Sequence, residues 1–101
     1  MPYKTIYKYT LEVTDEQDIE MPLNSTILTI QVQNNIPCLW AIVDPNETEV
    51  RVKRVMIFGT GHPIDDDILK FNLSYIYTFQ LKEESLVFHA FEFQNIANPP
   101  L

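Results

Sequence analysis

Apolar and polar residues alternate along most of this chain, which is the pattern of half-buried β-strands. The first alternating segment runs from Tyr3 to Val13, with two lysines expected in water and aromatic or β-branched residues expected to face a core. Similar segments predict further strands at residues 19–21, 27–33, 37–43, 50–58, 75–81 and 86–93. Pro22 confines the shortest of these to a sheet edge or a strand end.

The predicted strand at residues 37–43 is apolar on both faces, so it is expected to be central and covered on both sides. That arrangement requires two packed layers or a closed barrel. Cys38, the single cysteine of the chain, lies in this strand and is interpreted as a buried small hydrophobe. Apolar residues on both faces are also compatible with a homo-oligomer.

Two sets of apolar residues are expected to face inward: Leu28, Ile30 and Val32 in one strand, and Val50, Val52, Met56 and Phe58 in a later one. Arg54 shares the second of these faces. A buried guanidinium needs a partner of opposite charge, so an acidic neighbour is expected there.

Turns that need a positive φ must rely on asparagine, because the chain has only two glycines. Asn34-Asn35 is accordingly predicted to form the tight turn of a hairpin. After the strand at 50–58 the chain is expected to loop as far as about Ser74. A helical turn at 68–71 is predicted within that loop, capped by Asp65 or Asp66.

Six or seven short strands joined mostly by turns predict an all-β fold. The expected architecture is a single-domain antiparallel β-sandwich or barrel with at most one short helical turn. The domain is expected to span residues 1–94, followed by a loose C-terminal tail at 95–101.

Charge and hydropathy narrow the classes of function. The net charge of −7 disfavours direct nucleic-acid binding, which depends on excess lysine and arginine. The N-terminus lacks the apolar region of a signal peptide and no apolar run approaches a membrane span, so a cytoplasmic protein without a membrane partner is expected. The acidic residues lie mainly in predicted turns, where they favour solubility or docking onto a basic partner.

The candidate site is Gly59-Thr60-Gly61-His62-Pro63, which follows a predicted strand and holds both glycines. Glycines let the backbone approach a ligand closely, and successive amides there can bind an anion. The predicted ligand-binding residues are Gly59, Thr60, Gly61 and His62, with Arg51, Lys53 and Arg54 neutralising charge. Trp40 or Tyr77 would stack on a base. The alternative is that the two glycines only turn the chain.

Two other chemistries have less support. A metal site would draw on His62, Asp65, Asp67 and His89. The acid run is equally well a helix cap, and His89 alternates with apolar residues as a hydrogen-bonded core or edge histidine does. For catalysis, neither Cys38 with a histidine nor Thr60 beside His62 has a supporting motif. No catalytic residue, metal or cofactor is therefore predicted, and the protein is not expected to be an enzyme.

Several segments together resemble a family of small uncharacterised proteins of bacteriophages and prophages, a domain of unknown function. They are Lys-Thr-Ile-Tyr-Lys-Tyr (4–9), Ile-Glu-Met-Pro (19–22), Cys-Leu-Trp-Ala-Ile-Val-Asp (38–44), Phe-Gly-Thr-Gly-His-Pro-Ile (58–64), Tyr-Ile-Tyr-Thr-Phe-Gln (75–80) and Leu-Val-Phe-His-Ala-Phe-Glu (86–92). The resemblance covers residues 4–92. It implies a phage origin and a compact β fold, and no known activity or site.

A phage accessory protein of this size often binds a host component or sequesters a nucleotide signal, which is an argument by analogy. This analogy, rather than the resemblance itself, leads to the hypothesis of a binding protein, a host-interaction or counter-defence factor whose partner is a host protein or a small nucleotide-like anion. The alternatives are an acidic inhibitor that docks onto a host protein and a structural or assembly subunit of the virion.

Overall fold

A computed structural model describes residues 2–70, 72–82 and 85–94. In this part of the chain there are seven strands and one short helix: β1 Thr5–Thr10, β2 Glu16–Pro22, β3 Thr26–Gln33, β4 Ile36–Val43, β5 Val50–Gly59, α1 Asp66–Leu69, β6 Asn72–Leu81 and β7 Leu86–Gln94. The all-β prediction is confirmed. The predicted loose tail at 95–101 lies outside the described residues.

The strands form two antiparallel sheets. The three-stranded sheet has the order β1-β4-β3, and the four-stranded sheet has the order β2-β5-β7-β6. The apolar strand β4 is central, as predicted, but the other sheet covers only its inner face, and Trp40 and Ile42 on its outer face are half-buried. Strand β2 lies at an edge and ends at Pro22, which is where a residue without an N–H is tolerated.

The inner faces of the two sheets share one hydrophobic core. Its buried members come from both layers: Leu11, Met21, Ile30, Leu39, Ala41, Val43, Val55, Ile57, Phe79, Leu81 and Ala90. Because both sheets contribute to one cluster, the molecule is a two-layer β-sandwich. Helix α1 has four residues, and no helix in the described residues is long and apolar enough to cross a membrane.

The sandwich is closed on one side and open on the other. On the closed side β3 lies beside β6, and the Lys82 N–H donates to Asn35 Oδ1 at 2.7 Å. On the other side β1 and β2 are edge strands that do not pair with each other. Between them runs a groove of about 710 Å³, here called the β1–β2 groove, lined by residues 8–10 of β1, Glu12 and residues 17–20 of β2.

Asparagines form the tight turns, as predicted. Asn34 and Asn35 have φ values of 52° and 63°, and they join β3 to β4 in a two-residue hairpin. Asn24, with φ of 67°, turns the chain between β2 and β3. Lys82 also has a positive φ, 53°. Lysine is not one of the residue types that favour this conformation, so the sequence did not predict it.

Some side chains that were predicted to be buried are exposed, because burial depends on the register of each strand and on the strands beside it. A β-bulge between Ile27 and Thr29 shifts the register of β3, so Ile27 packs against the core and Leu28 is 44% exposed. The predicted inward face of β5 is its outer face: Val55 and Ile57 belong to the core, whereas Val50 and Val52 are each 54% exposed. Their exposure is greater because β7 pairs with β5 only from Arg54 onward.

Strand β1 is less buried than predicted. Tyr9 is half-buried against the core and Leu11 is part of it, whereas Tyr3 and Tyr7 are 58% and 41% exposed. The cause is position: β1 is an edge strand and borders the open side of the sandwich.

Candidate functional site

The glycine-rich stretch after β5 is a tight turn. The His62 N–H donates to the Gly59 carbonyl at 3.0 Å, and Gly61 has φ of +87°. Such a turn favours glycine at its third position, because a side chain strains a backbone with positive φ. Gly59 is needed for a different reason: a Cβ there would lie 3.0 Å from both Cε1 and Nδ1 of His62. Both glycines therefore have a structural role in the turn.

Two backbone amides of this turn, those of Thr60 and His62, are engaged within the protein. The Thr60 N–H donates to the Val87 carbonyl at 3.2 Å, and the His62 N–H is held by Gly59. An anion-binding concavity needs consecutive amides that point at the ligand. Of the four residues predicted to bind an anion here, Thr60 and His62 therefore direct their backbone N–H groups at protein carbonyls.

A row of polar side chains links the turn to β7 and β6. Thr60 Oγ1 lies 2.7 Å from His89 Nε2, and His89 Nδ1 lies 3.1 Å from Thr78 Oγ1. Thr78 Oγ1 in turn lies 2.7 Å from the Tyr75 hydroxyl. The prediction of a hydrogen-bonded His89 is confirmed. Sequence reasoning missed Thr78 and Tyr75, since only the β6–β7 register places them beside the histidine.

The three predicted cations are not beside the turn. Alternation along β5 puts Arg54 on the outer face of the four-stranded sheet, and puts Arg51 and Lys53 on the other face. Lys53 Nζ lies 3.2 Å from a carboxylate oxygen of Glu92. Arg51 is exposed in the first half of the strand. The structure therefore brings Gly59, Thr60, Gly61 and His62 together and leaves the cations elsewhere.

Arg54 has a partner, as predicted, although it lies on the outer face of the sheet and its side chain is 40% exposed rather than buried. Its Nε and Nη2 donate to the two carboxylate oxygens of Asp18 at 2.8 and 3.2 Å. This bidentate hydrogen bonding, together with the charge of Arg54, lowers the pKa of Asp18 and raises that of Arg54. The guanidinium also lies 6.0 Å from the centre of the Phe93 ring.

A cleft of about 470 Å³ lies between the turn, α1 and the start of β2. Its apolar floor is formed by Met56, Phe58 and Ile68, and its rim carries the exposed carboxylates of Asp15, Glu16 and Asp65. Gly59 and His62 also line it. We call it the acidic cleft. Asp15 and Glu16 were not predicted to be part of a site, because they are more than 40 positions from the turn in the sequence.

The acid run after the turn caps α1. Asp65 Oδ1 accepts from the Asp67 N–H at 2.9 Å, which confirms Asp65 as the cap, while the helix begins at Asp66, two residues before the predicted turn at 68–71. Lys70 Nζ lies 3.3 Å from Asp67 Oδ1. Within residues 2–70, 72–82 and 85–94, no group of three or more His, Cys, Asp or Glu side chains is placed to hold a metal ion.

Aromatic side chains continue the site along the outer face of the four-stranded sheet. The ring of Phe91 lies 5.9 Å from that of Phe58 and 5.6 Å from that of Tyr75, both edge-on. Tyr75 is 60% exposed. We call these three residues the aromatic cluster. They extend the apolar floor of the acidic cleft into a larger surface on which another molecule can pack.

The remaining candidates lie away from this surface. Trp40 is half-buried on the three-stranded sheet, and Tyr77 is paired with Ala90 on the inner side of β6. Cys38 is buried, 2% exposed, and its Sγ lies 3.5 Å from the Ile36 carbonyl, in keeping with its interpretation as a small core residue.

Comparison with curated proteins found no significant match. Comparison with solved structures also found none. A family model described as a domain of unknown function matches residues 2–99, which is nearly the whole chain. The chain therefore belongs to the family of this domain of unknown function, DUF7352.

Proposed function

We propose that the protein acts by binding a protein partner, and that the acidic cleft and the aromatic cluster dock onto a basic surface of that partner. The observation that supports this most directly is the combination of three exposed carboxylates, Asp15, Glu16 and Asp65, around an apolar floor. Such a site matches a lysine or arginine side chain, whose aliphatic stem packs on apolar atoms while its charge meets the rim.

Local charge favours this reading. Arg54, the cation on the same sheet face, is neutralised by Asp18 at 2.8 Å. The net charge of the chain is −7, so the rim carboxylates are part of a wider negative field. A field of this kind accelerates the approach of a positively charged partner and weakens with added salt.

The aromatic cluster supplies the apolar part of the interface. Aromatic residues near the centre of an interface commonly carry much of its binding energy. Tyr75 is exposed and its hydroxyl is held by Thr78, so its ring is already oriented before a partner arrives. A preoriented side chain loses less conformational entropy on binding.

A small anionic ligand at Gly59–His62 stays a prediction, with less support from the geometry. The carboxylates around the turn repel an anion, and the amides of Thr60 and His62 already have carbonyl partners. In the setting that the phage resemblance suggests, the basic partner would be a host protein met in the cytoplasm, and binding would serve host interaction or counter-defence.

The test is fluorescence anisotropy with a labelled peptide rich in arginine and tryptophan. Neutralising the rim with Asp15→Asn and Glu16→Gln should weaken binding roughly 2- to 30-fold, since an exposed ion pair contributes about 0.2–1 kcal/mol. A matched variant, Asp44→Asn with Glu49→Gln, makes the same change in net charge away from the cleft. It should leave the affinity nearly unchanged.

Equal weakening by both variants would show that net charge acts without a defined site, which contradicts the proposal. Binding that is insensitive to salt would contradict it as well. ATP serves as the anionic probe in a parallel titration. If ATP binds and the rim variant strengthens that binding, the anionic-ligand prediction is favoured instead.

A further inference from the structure

We propose that the β1–β2 groove accepts an extended peptide segment of a partner protein as an added β-strand. This site lies on the open side of the sandwich and is separate from the acidic cleft. The groove has a volume of about 710 Å³ and is bordered by two edge strands that are not paired with each other. An edge strand presents unpaired N–H and C=O groups that can pair with another chain.

Strand β1 turns the backbone groups of Lys8 and Thr10 into the groove. The Leu11 N–H donates to the carbonyl of Pro37 in β4. In an antiparallel ladder the N–H and C=O of successive residues point to opposite sides. The backbone groups of Tyr9, two residues before Leu11, therefore pair with β4. The backbone groups of Lys8 and Thr10 face the open side.

Strand β2 does the same from the opposite border. The Asp15 carbonyl accepts from the Ile57 N–H, and the Leu23 N–H donates to the Glu49 carbonyl. Odd-numbered residues of β2 thus face β5. Asp18 and Glu20 consequently direct their N–H and C=O groups into the groove.

Side chains of the protein already satisfy outward backbone groups at the end of the groove where the chain passes from β1 to β2. The Gln17 amide accepts from the Glu12 N–H at 3.1 Å and donates to the Glu12 carbonyl at 2.6 Å. Thr14 Oγ1 donates to the Glu16 carbonyl at 3.1 Å. Gln17 thus pairs with Glu12 as a peptide group of a neighbouring strand would, which shows what kind of group fits there.

The middle of the groove lacks such partners. Neither sheet pairs the outward groups of Lys8, Thr10, Asp18 and Glu20 within the described part of the chain. These four residues present two N–H and two C=O groups on each border. One extended segment lying between the strands would pair with both, and that would join the two sheets on their open side.

The lining of the groove selects the sequence of the segment. Side chains of an added strand alternate between the core side, where Tyr9 and Ile19 are half-buried, and the solvent side. On the solvent side Asp18 is held by Arg54, and the carboxylates of Glu12 and Glu20 outnumber the single cation of Lys8. The occupant should therefore alternate apolar with basic residues.

The probe is an N-acetylated, C-amidated heptapeptide with lysine at every second position and valine or isoleucine between. Backbone amide exchange is measured by NMR on the full-length protein, with and without this peptide. The amide protons of Lys8, Thr10, Asp18 and Glu20 should exchange at least about tenfold more slowly when it is bound. Tyr9 and Ile19, already paired within the sheets, should change little and serve as internal controls.

N-methylation of alternate peptide residues removes donors without altering the protein, so folding is not at issue. Loss of two hydrogen bonds should weaken binding about tenfold. Thr10→Pro, which deletes one outward N–H of β1, should weaken it in the same direction, with its fold checked by unfolding in urea.

Three results would overturn the proposal. The first is no slowing at the four amides at millimolar peptide. The second is equal affinity of the methylated peptide. The third is slowing of the same amides by raised protein concentration alone, which would make the occupant a second copy of this chain.

Discussion

Replacing Gly59 with alanine tests how closely the turn after β5 is packed. The new Cβ would lie 3.0 Å from Cε1 and Nδ1 of His62, inside the roughly 3.5–4.0 Å separation at which carbon atoms attract best. The imidazole is exposed, so it can swing away, but it then loses its contact with the turn. We expect Gly59→Ala to lower the free energy of unfolding by about 1 kcal/mol, the lower end of overpacking costs.

A double-mutant cycle isolates the cause. In a His62→Ala background the obstructing ring is gone, and Gly59→Ala should then be neutral or stabilising by about 0.4–1 kcal/mol through the unfolded state. The coupling free energy between the two sites should be about 1–2 kcal/mol. Gly61→Ala is the control: apart from its chain neighbours Thr60 and His62, no described residue has an atom within 4 Å of its added Cβ, but its φ is +87°. That strain costs about 1–2 kcal/mol whether or not His62 is present.

Urea unfolding with a shared m-value gives these free energies, and 1 kcal/mol corresponds to a shift in Tm of about 4–8 °C for a domain of this size. If Gly59→Ala destabilises the protein equally in both backgrounds, the ring is not the obstacle and the packing argument is wrong. If Gly61→Ala is rescued by His62→Ala, the positive φ is not the cause of its cost.

Three further outcomes are expected. Leu39→Ala, at a fully buried position of the central strand β4, should cost about 2–5 kcal/mol in urea unfolding. Asn35→Ala should cost more than Asn34→Ala, because both lose a favourable left-handed residue but only Asn35 also loses a hydrogen bond to the other sheet; equal costs would count against that bond. Because Arg54 lowers the pKa of Asp18, the pair stabilises the fold above the ordinary aspartate pKa of about 3.9. That contribution, below about 1 kcal/mol for so exposed a pair, should disappear as the pH falls through the lowered pKa, and Arg54→Met should abolish this part of the pH dependence.

Most of the fold could be predicted from the sequence, because side-chain alternation and turn residues act locally. The hairpin at Asn34-Asn35 and the Asp65 cap are of this kind, since each depends on a few neighbouring residues. The exposure of Leu28 could not be predicted: a bulge of one residue reverses the face, and nothing in an apolar run marks where it falls.

The candidate site was only partly predictable for a related reason. The turn at Gly59–His62 is contiguous in the sequence, so its four residues were found together. Asp15 and Glu16 reach the same cleft only because β2 pairs with β5, and sequence periodicity does not choose strand partners. Arg51 and Lys53 lie on the opposite face of β5 from Arg54, because side chains alternate along a strand. Their nearness in the sequence therefore does not bring the three cations together.

Five of the 14 acidic residues lie in the acidic cleft or in helix α1 beside it, namely Asp15, Glu16, Asp65, Asp66 and Asp67, and this uneven placement gives the molecule an electric dipole in addition to its net charge. A torque acts on such a molecule in the field of a cationic surface, so it rotates once it comes within a Debye length, about 8 Å in physiological salt. The acidic cleft then faces the surface. A larger fraction of collisions therefore occurs in the orientation that allows binding. The association rate depends on where the charges are placed as well as on how many there are.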